Sequence, residues 1–215
     1  MLVLYLIRHG ETDFNATGRV QGHTESDLSE LGLEQARRVE QRLRGVSFIR
    51  AYSSPLRRAV QTAEIALGGV TDVELCDGIK EINLGVWEGR TAAALRREYP
   101  REVKRWFVEP SKLRIEDGET IRAFRARVVR SMDRIRADHD RGIVAVFAHG
   151  GVICTYLTKL LGMKLDDIWR FKIRNASVTR VIFPQDRPRV DLLGDVHHLD
   201  GALPVIPGGV FRMFP

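Results

Sequence analysis

Two uninterrupted apolar runs, each leading into a histidine, constrain the fold of this chain more than any other feature of its sequence. Residues 2–7 run to Arg8 and His9, and residues 143–148 run directly into His149. Runs this short that are apolar at every position, without alternation, are typical of strands buried on both faces of a parallel sheet. We therefore predict that both runs are buried strands of one sheet.

Helical periodicity alternates with the strand-like runs. Ser29 is a candidate N-cap for a helix whose apolar stripe is Leu33, Ala36, Val39 and Leu43, and Ser54-Pro55 is a candidate start for the next helix. A long amphipathic helix is predicted from the stripe Ile121, Phe124, Val128, Met132 and Ile135. Further strands are predicted at 48–52, 178–183 and 190–193, and a helix at 152–161. This alternation predicts a three-layer α/β fold with helices on both faces of the sheet.

One part of the chain departs from the α/β alternation. From residue 91 to 116 the pattern is irregular, and we interpret 84–118 as a small cap segment inserted into a single domain spanning 1–215. Residues 204–215 show little pattern and stay unassigned.

Composition excludes several classes of protein. Apolar runs such as 2–7 hold six residues, whereas a membrane span needs ~20. Cys76 and Cys154 are too few for a disulfide framework or a thiolate metal site. The N-terminus lacks the features of a signal peptide. We expect a cytoplasmic protein without a membrane partner.

Charge and missing motifs narrow the chemistry further. The net charge of +6 favours an anionic ligand. A nucleic-acid binder is the alternative from charge alone, but the arginines are spread along a helix without aromatic interleaving, so we predict no nucleic-acid partner. The chain has no phosphate loop, dinucleotide turn, serine-hydrolase elbow or His-Glu-x-x-His pair. We expect no metal site.

The ends of the predicted strands carry the polar residues best placed for chemistry. Ligands of open α/β sheets bind beyond the carboxyl ends of the strands, where Arg8, His9 and His149 are expected. Arg57 and Arg58 follow another strand and fall in the first turn of a helix, where they oppose the helix dipole. A bound anion would reverse that penalty, and the alternative is that the two arginines are solvent-exposed.

Several motifs, taken in order, resemble those of the histidine phosphatase superfamily, the phosphoglycerate-mutase-like enzymes. The resemblance extends from residue 2 to about residue 199. The motifs are LIRHGET at 6–12, GRVQG at 18–22, LSELG at 28–32, SSPLRRAVQTA at 53–63, EINLGVWEG at 81–89, GET at 118–120 and AHG at 148–150. The family fold that this resemblance implies is a mixed, mostly parallel sheet flanked by helices, with a cap over the site.

The resemblance also implies a role for each site residue. His9 is the expected nucleophile, and Arg8, Arg58 and a protonated His149 are expected to hold the phosphoryl oxygens. Glu81 is expected to give a proton to the leaving oxygen and later to activate water. The residues expected to line the substrate pocket are Asn15, Gln21 and Gly22. These cationic side chains would replace the metal ions of other phosphatases, so no cofactor is expected.

The expected activity is that of a metal-independent phosphatase acting through a phosphohistidine. Residues 82–89 resemble the phosphatase branch, so the expected partner is a small phosphorylated metabolite: phosphoserine, α-ribazole phosphate, phosphoglycerate or a sugar phosphate. Phosphoglycerate mutase is the first alternative, and a non-catalytic phosphate-ester-binding protein is the second. The oligomeric state stays open, with a homodimer expected only because dimers are common in this family.

Overall fold

Six strands form one mixed sheet in the part of the chain that the structure, a computed structural model, describes: residues 1–185 and 187–200. They are β1 (Leu2–Arg8), β2 (Arg50–Ser53), β3 (Val73–Leu75), β4 (Gly142–Ala148), β5 (Val178–Phe183) and β6 (Arg189–Asp195). Their order is β3-β2-β4-β1-β5-β6. The first four are mutually parallel, β5 runs antiparallel to β1, and β6 runs antiparallel to β5. The unassigned residues 204–215 lie outside the described residues.

The two apolar runs are strands of this sheet, as predicted, and they form its central pair. β1 pairs with β4 in parallel from Leu2 opposite Gly142 to Arg8 opposite Ala148. Each strand has a neighbour on both sides, so its backbone groups are used within the sheet. Because the register is unshifted, the residues that follow the two strands, His9 and His149, emerge side by side.

Helices cover both faces of the sheet, which confirms the three-layer α/β prediction. The helices are α1 (Asp13–Ala16), α2 (Glu30–Leu43), α3 (Arg57–Leu67), α4 (Ala92–Glu98), α5 (Pro100–Val108), α6 (Ile121–Ala137) and α7 (Gly150–Leu160). On one face, α2 and α3 pack on Tyr5 and Ile7. On the other face, α6 and α7 pack on Leu4 and Leu6. The alternation of side chains along β1 therefore divides the core in two.

Helix α6 follows its sequence pattern closely. The Thr120 hydroxyl accepts a hydrogen bond from the Ala123 amide at 3.2 Å and caps the first turn. The five predicted apolar positions, Ile121, Phe124, Val128, Met132 and Ile135, are all buried. Helix α2 likewise begins after Ser29, whose hydroxyl accepts from the Gly32 amide.

Two predictions about local structure are wrong. Helix α3 begins at Arg57 rather than at Pro55, and its N-cap, Leu56, makes no side-chain capping bond. The Ser54 hydroxyl instead hydrogen bonds to His149 Nε2 at 2.8 Å, so it serves the site rather than the helix. Residues 91–116 are also more regular than predicted, because Thr91 caps α4 and Pro100 occupies the first turn of α5. The Tyr99-Pro100 step is a junction between helices.

The first turn of α2 touches the backbone that follows β1. A Cβ on Gly32 would lie 1.9 Å from the Glu11 carbonyl oxygen, and a Cβ on Gly10 would lie 2.6 Å from the Gly32 carbonyl oxygen. Only glycine at these two positions lets the helix approach so closely. The contact fixes the segment that begins directly after His9.

We expect the substitution Gly32→Ala to lower the free energy of unfolding by about 1–3 kcal/mol, because backbone must move to admit the methyl group. An exposed helical glycine would instead gain about 1 kcal/mol from the same change. Urea denaturation measures the difference. Arg37→Ala, at an exposed position of the same helix, is the control and should change stability by less than about 0.5 kcal/mol. A neutral or stabilised Gly32→Ala protein would contradict the close contact.

Candidate active site

A cavity of about 90 Å³ opens beyond the carboxyl ends of β1 and β4. Seven of the eight residues predicted from the sequence line it: Arg8, His9, Asn15, Gln21, Gly22, Arg58 and Glu81. The eighth, His149, is fully buried and does not line the cavity. Its ring lies beside that of His9, with ring centroids 5.2 Å apart. The structure therefore brings the eight predicted residues together in one cluster, drawn from six separate stretches of the sequence.

His9 is held in one orientation by its own backbone. Its Nδ1 lies 2.7 Å from the Gly10 carbonyl oxygen, which can only accept, so Nδ1 carries the proton. The lone pair of the neutral ring is consequently on Nε2. The Asn175 amide supports this turn by donating to the carbonyls of His9 at 3.2 Å and Gly10 at 3.1 Å. This is the tautomer that a histidine nucleophile attacking through Nε2 requires.

The charge around His9 keeps its ring neutral. Burial lowers the pKa of His9 well below 6.5, and the guanidiniums of Arg58 and Arg8 lower it further. The hydrogen bond to the Gly10 carbonyl acts in the opposite direction but is the smallest of these influences. His9 is therefore unprotonated at neutral pH.

Two guanidiniums flank the cavity without a carboxylate as a hydrogen-bond partner. Arg58 donates from Nη2 to the Gly22 carbonyl at 2.8 Å and from Nη1 to the Thr24 carbonyl at 3.1 Å. Arg8 donates from Nη1 to the Ile173 carbonyl at 2.7 Å. In both side chains Nε is buried and has no acceptor among the described residues. Burial lowers the pKa of Arg58 to about 10, so it remains a cation at neutral pH.

His149 was predicted to be protonated, and the structure shows a neutral ring instead. Burial lowers its pKa well below 6.5, with Arg58, His9 and Arg8 adding to the effect, so the ring is neutral rather than protonated at pH 7. The Ser54 hydroxyl accepts from the Leu56 amide at 3.3 Å and can donate its own proton to His149 Nε2. That arrangement puts the ring proton on Nδ1, which is buried without a partner among the described residues. In this tautomer, the Nδ1–H group of the neutral His149 ring is a hydrogen-bond donor without an acceptor among the described residues.

Glu81 reaches the site from the loop after β3. Its Oε2 accepts from the Gly151 amide at 3.1 Å, in the first turn of α7, and its Oε1 accepts from the Ile82 amide at 3.0 Å. A Cβ on residue 151 would lie 2.3 Å from Oε1, so the carboxyl can occupy this place only beside a glycine. Helix α7 therefore presents its positive end to the carboxyl group.

Arg127, on α6, fixes the backbone that carries Glu81, and sequence reasoning missed it. It donates to the carbonyls of Gly78, Lys80 and Glu81 at 3.1, 2.8 and 3.0 Å. Glu119 holds the guanidinium with two bonds of 3.0 and 2.7 Å. Glu119 belongs to the GET motif, but nothing in the spacing indicates Arg127 as its partner.

Glu88 fixes the backbone of the loop whose carbonyl groups accept from Arg58. Its Oε1 accepts from the amides of His23 and Leu84, both at 2.9 Å. Its Oε2 accepts from the amide and the hydroxyl of Thr24 at 2.8 and 2.6 Å. Gly22 has φ +58°, and a Cβ there would lie 2.0 Å from Glu88 Oε1. The EINLGVWEG motif therefore supplies a loop anchor as well as Glu81.

Asn15 and Gln21 line the cavity with their amide groups constrained. Asn15 Oδ1 accepts from the Thr12 amide at 3.3 Å and from Asn175 Nδ2 at 3.0 Å, which leaves its NH₂ group as the part it can offer a ligand. Gln21 Oε1 accepts from the Ser26 hydroxyl at 2.7 Å. Both side chains line the cavity.

The described residues contain neither a metal-binding cluster nor a helix that could span a membrane. Within 1–185 and 187–200 there is no group of three or more His, Cys, Asp or Glu side chains that could hold a metal ion. No helix in the same ranges has the length and apolar character needed to cross a membrane.

Comparison with known proteins gives consistent matches. The profile of the histidine phosphatase superfamily (branch 1) matches residues 4–196. Phosphoserine phosphatase 1 of Hydrogenobacter thermophilus is 36% identical over 193 residues, which are 89% of this chain and 91% of that protein. A probable phosphoglycerate mutase GpmB of Yersinia pestis is 34% identical over 93% of this chain and 96% of its own. The solved structure of Bacillus stearothermophilus YhfR superposes with a TM-score of 0.87 at 31% identity, covering 93% of this chain and all of that one.

The two neutral, buried histidines make stability depend on pH. Both folded-state pKa values lie below the ordinary value of 6.5, so the unfolded chain binds more protons below pH 6.5, and stability falls as the pH falls through that region. Each histidine contributes at most about 1.4 kcal/mol per pH unit. We expect His149→Asn to make the free energy of unfolding fall less steeply between pH 6.5 and pH 5 by up to that amount.

Urea denaturation of the wild-type and variant proteins at several pH values measures the two slopes. His197→Asn is the matched control for the exchange itself, because the His197 side chain is 91% exposed whereas that of His149 is buried. Parallel curves for wild type and His149→Asn would show that His149 is not held neutral.

Proposed function

The chain belongs to the histidine phosphatase superfamily and is a phosphoric monoester hydrolase, and we propose that it hydrolyses small phosphate monoesters through a phosphohistidine formed on His9. We propose small phosphorylated metabolites as its substrates and the cytoplasm as its location. The family and the phosphatase among its relatives support the reaction class.

One observation carries the assignment of roles. Three buried nitrogens without acceptors among the described residues, Arg8 Nε, Arg58 Nε and His149 Nδ1, belong to side chains grouped around His9. Buried polar atoms in proteins almost always have a partner, so a cluster of unpaired donors calls for an acceptor from outside the chain. A phosphoryl group, with three oxygens that share negative charge, matches such a cluster.

In the first step, His9 Nε2 attacks phosphorus as the bond from phosphorus to the leaving oxygen breaks. Glu81, in its protonated form, gives its proton to that oxygen, so the product leaves as a neutral alcohol. The guanidiniums of Arg8 and Arg58 balance the charge on the phosphoryl oxygens, a task that metal ions perform in other phosphatases. The Gly10 carbonyl stabilises the positive charge that develops on the ring of His9.

In the second step, Glu81, now a carboxylate, takes a proton from water. The water oxygen attacks phosphorus, the nitrogen–phosphorus bond breaks, and the neutral ring of His9 is restored with inorganic phosphate as product. The carboxyl group is held by the amides of Gly151 and Ile82, so the same group can serve both proton transfers without moving its backbone.

We propose that residues 84–118 act as the cap over this site. Leu84, Trp106 and Phe107, all within this segment, line the cavity together with the phosphoryl-binding residues. A cap of this kind excludes water from the first step and contacts the leaving group.

Phosphoglycerate mutase activity is the second candidate, because a relative with 34% identity carries that name. A mutase shares the first step and then passes the phosphoryl group to a second hydroxyl group instead of water. Incubation with 3-phosphoglycerate separates the two: release of inorganic phosphate supports the phosphatase, and formation of 2-phosphoglycerate supports the mutase.

We expect His9→Ala to abolish phosphate release, because the nucleophile is lost while the cavity is retained. Phosphate release in the presence of a chelator and acid-labile labelling of the protein by a radiolabelled monoester are the two measurements. His197→Ala, which removes an exposed histidine, is the control and should keep both signals. Full activity of the His9→Ala protein would refute the nucleophile assignment.

We expect Glu81→Gln to slow the reaction in proportion to the need for a proton on the leaving oxygen. The loss should reach about 10²–10⁴-fold for alkyl phosphates and be much smaller for 4-nitrophenyl phosphate, whose leaving oxygen is stable as an anion. Rates of phosphohistidine formation for both substrates give the comparison. Equal losses on the two substrates would exclude Glu81 as the proton donor.

A further inference from the structure

Part of the cavity wall is apolar, and the chemical steps above give it no role. Apart from the residues that meet the phosphoryl group, the cavity is lined by Val20, Ile82, Leu84, Trp106, Phe107 and Trp169. A leaving group attached to the bound phosphoryl group must contact at least some of these side chains, since they share one small cavity with His9 and Glu81.

The aromatic rings of this wall are fixed before any ligand arrives. The rings of Trp106 and Trp169 lie 4.7 Å apart and are inclined by 35°. Trp87 supports Trp106 from 6.1 Å, and Tyr99 supports Trp87 from 6.2 Å. Such offset aromatic pairs are favourable, and they leave few alternative rotamers. The wall is therefore a preformed surface rather than one that a polar ligand could rearrange.

The charges of the cavity do not match a zwitterionic leaving group. Among its lining residues, Glu81 is the single carboxylate, and the proposed reaction already uses it as an acid. An ammonium group on the leaving side would have no counter-charge and would lose its hydration on entering. The remaining cation, Arg19, is exposed and donates to the Gly89 carbonyl at 2.8 Å, so it stands at the edge of the site.

The indole N–H of Trp169 adds an independent sign that this wall is completed by a ligand. The nitrogen is buried and has no hydrogen-bond acceptor among the described residues, in the same way as the unpaired nitrogens of Arg8 and Arg58. A flat ring system with an acceptor atom would meet both the apolar surface and this donor.

We propose that the leaving-group side of the cavity selects phosphate monoesters of apolar, ring-bearing alcohols over zwitterionic ones such as phosphoserine. This specificity rests on the phosphatase function proposed above. Trp106, Phe107 and Trp169 are the specificity-determining residues. The 36% identical relative is named for phosphoserine. The preference proposed for this chain differs from that name.

The test compares substrates whose leaving oxygens are chemically matched. 2-Phenylethyl phosphate and ethyl phosphate both release a primary alcohol, so a difference in kcat/KM reports contact with the ring and not the stability of the leaving oxygen. We expect 2-phenylethyl phosphate to exceed both ethyl phosphate and phosphoserine by about 10-fold or more. Equal values for the first two substrates, or a preference for phosphoserine, would overturn the proposal.

Variants of the wall locate the preference. In Trp106→Ala, the ratio of kcat/KM between 2-phenylethyl and ethyl phosphate should fall by about 10-fold, and Trp106→Phe should restore most of it. If Trp106→Ala does not fold, Phe107→Ala takes its place as the test variant. Phe107 is less buried on the same helix, and its loss should likewise lower the ratio. Val108→Ala is the matched control, because Val108 is exposed on that helix and outside the cavity. A ratio that stays at the wild-type value in both cavity variants would overturn the assignment.

The outcomes separate this specificity from the phosphatase function itself. If no monoester is hydrolysed and no phosphohistidine forms, the proposed function and the specificity fail together. If every monoester is hydrolysed through His9 but phosphoserine is preferred, only the specificity fails.

Discussion

Arg58 is the largest side chain that the described fold buries completely, and the groups it donates to are carbonyl oxygens, not carboxylates. Carbonyl dipoles offset part of the desolvation of a guanidinium but leave it without a hydrogen-bonded carboxylate, although the charges of Glu81 and Glu25 attract it. Burial is the main reason that His9 and His149 are neutral, and the charge of Arg58 adds to it. A dianionic phosphoryl group removes this deficit, so the fold retains unfavourable electrostatics that substrate binding relieves. Much of the remaining architecture serves to keep this positive charge in place.

Carboxylates support the cluster from a distance instead of neutralising it. Glu88 ties down the loop whose carbonyls meet Arg58, and Glu119 clamps Arg127, which in turn holds the carbonyls around Glu81. Each carboxylate satisfies amides or a guanidinium outside the phosphoryl position. A carboxylate placed directly on Arg8 or Arg58 would compete with the substrate for the same donors. Glu88 and Glu119 therefore hold the backbone in place, and the guanidiniums of Arg8 and Arg58 stay available to a ligand.

The sequence predicts those parts of the site that depend on strand ends. β1 and β4 are recognisable because they are apolar at every position, and the structure then pairs them in an unshifted register that makes neighbours of His9 and His149. Helix α6 is predicted for the same reason, since its periodicity is uninterrupted. Ser54, Arg127 and Asn175 are different, because their contacts with His149, Glu81 and Gly10 span 46 or more positions of the sequence and leave no local pattern. The prediction that His149 is protonated was wrong, because the sequence does not show that its ring is completely buried.

The two ends of the cavity come from different parts of the fold. The residues proposed for phosphoryl transfer and those proposed to select the leaving group therefore lie on different elements. The proposed phosphoryl end is built by β1, the start of α3 and the turn after β4, all attached to the central sheet. The proposed leaving-group end takes Trp106 and Phe107 from α5 and Trp169 from the turn at Leu165–Arg170. Substitutions in α5 can change the wall without disturbing the register of β1 and β4, whereas a shift in that register would displace both histidines at once. In this fold the aromatic wall and the buried guanidiniums therefore stand on separate elements, so a change in one leaves the backbone of the other in place.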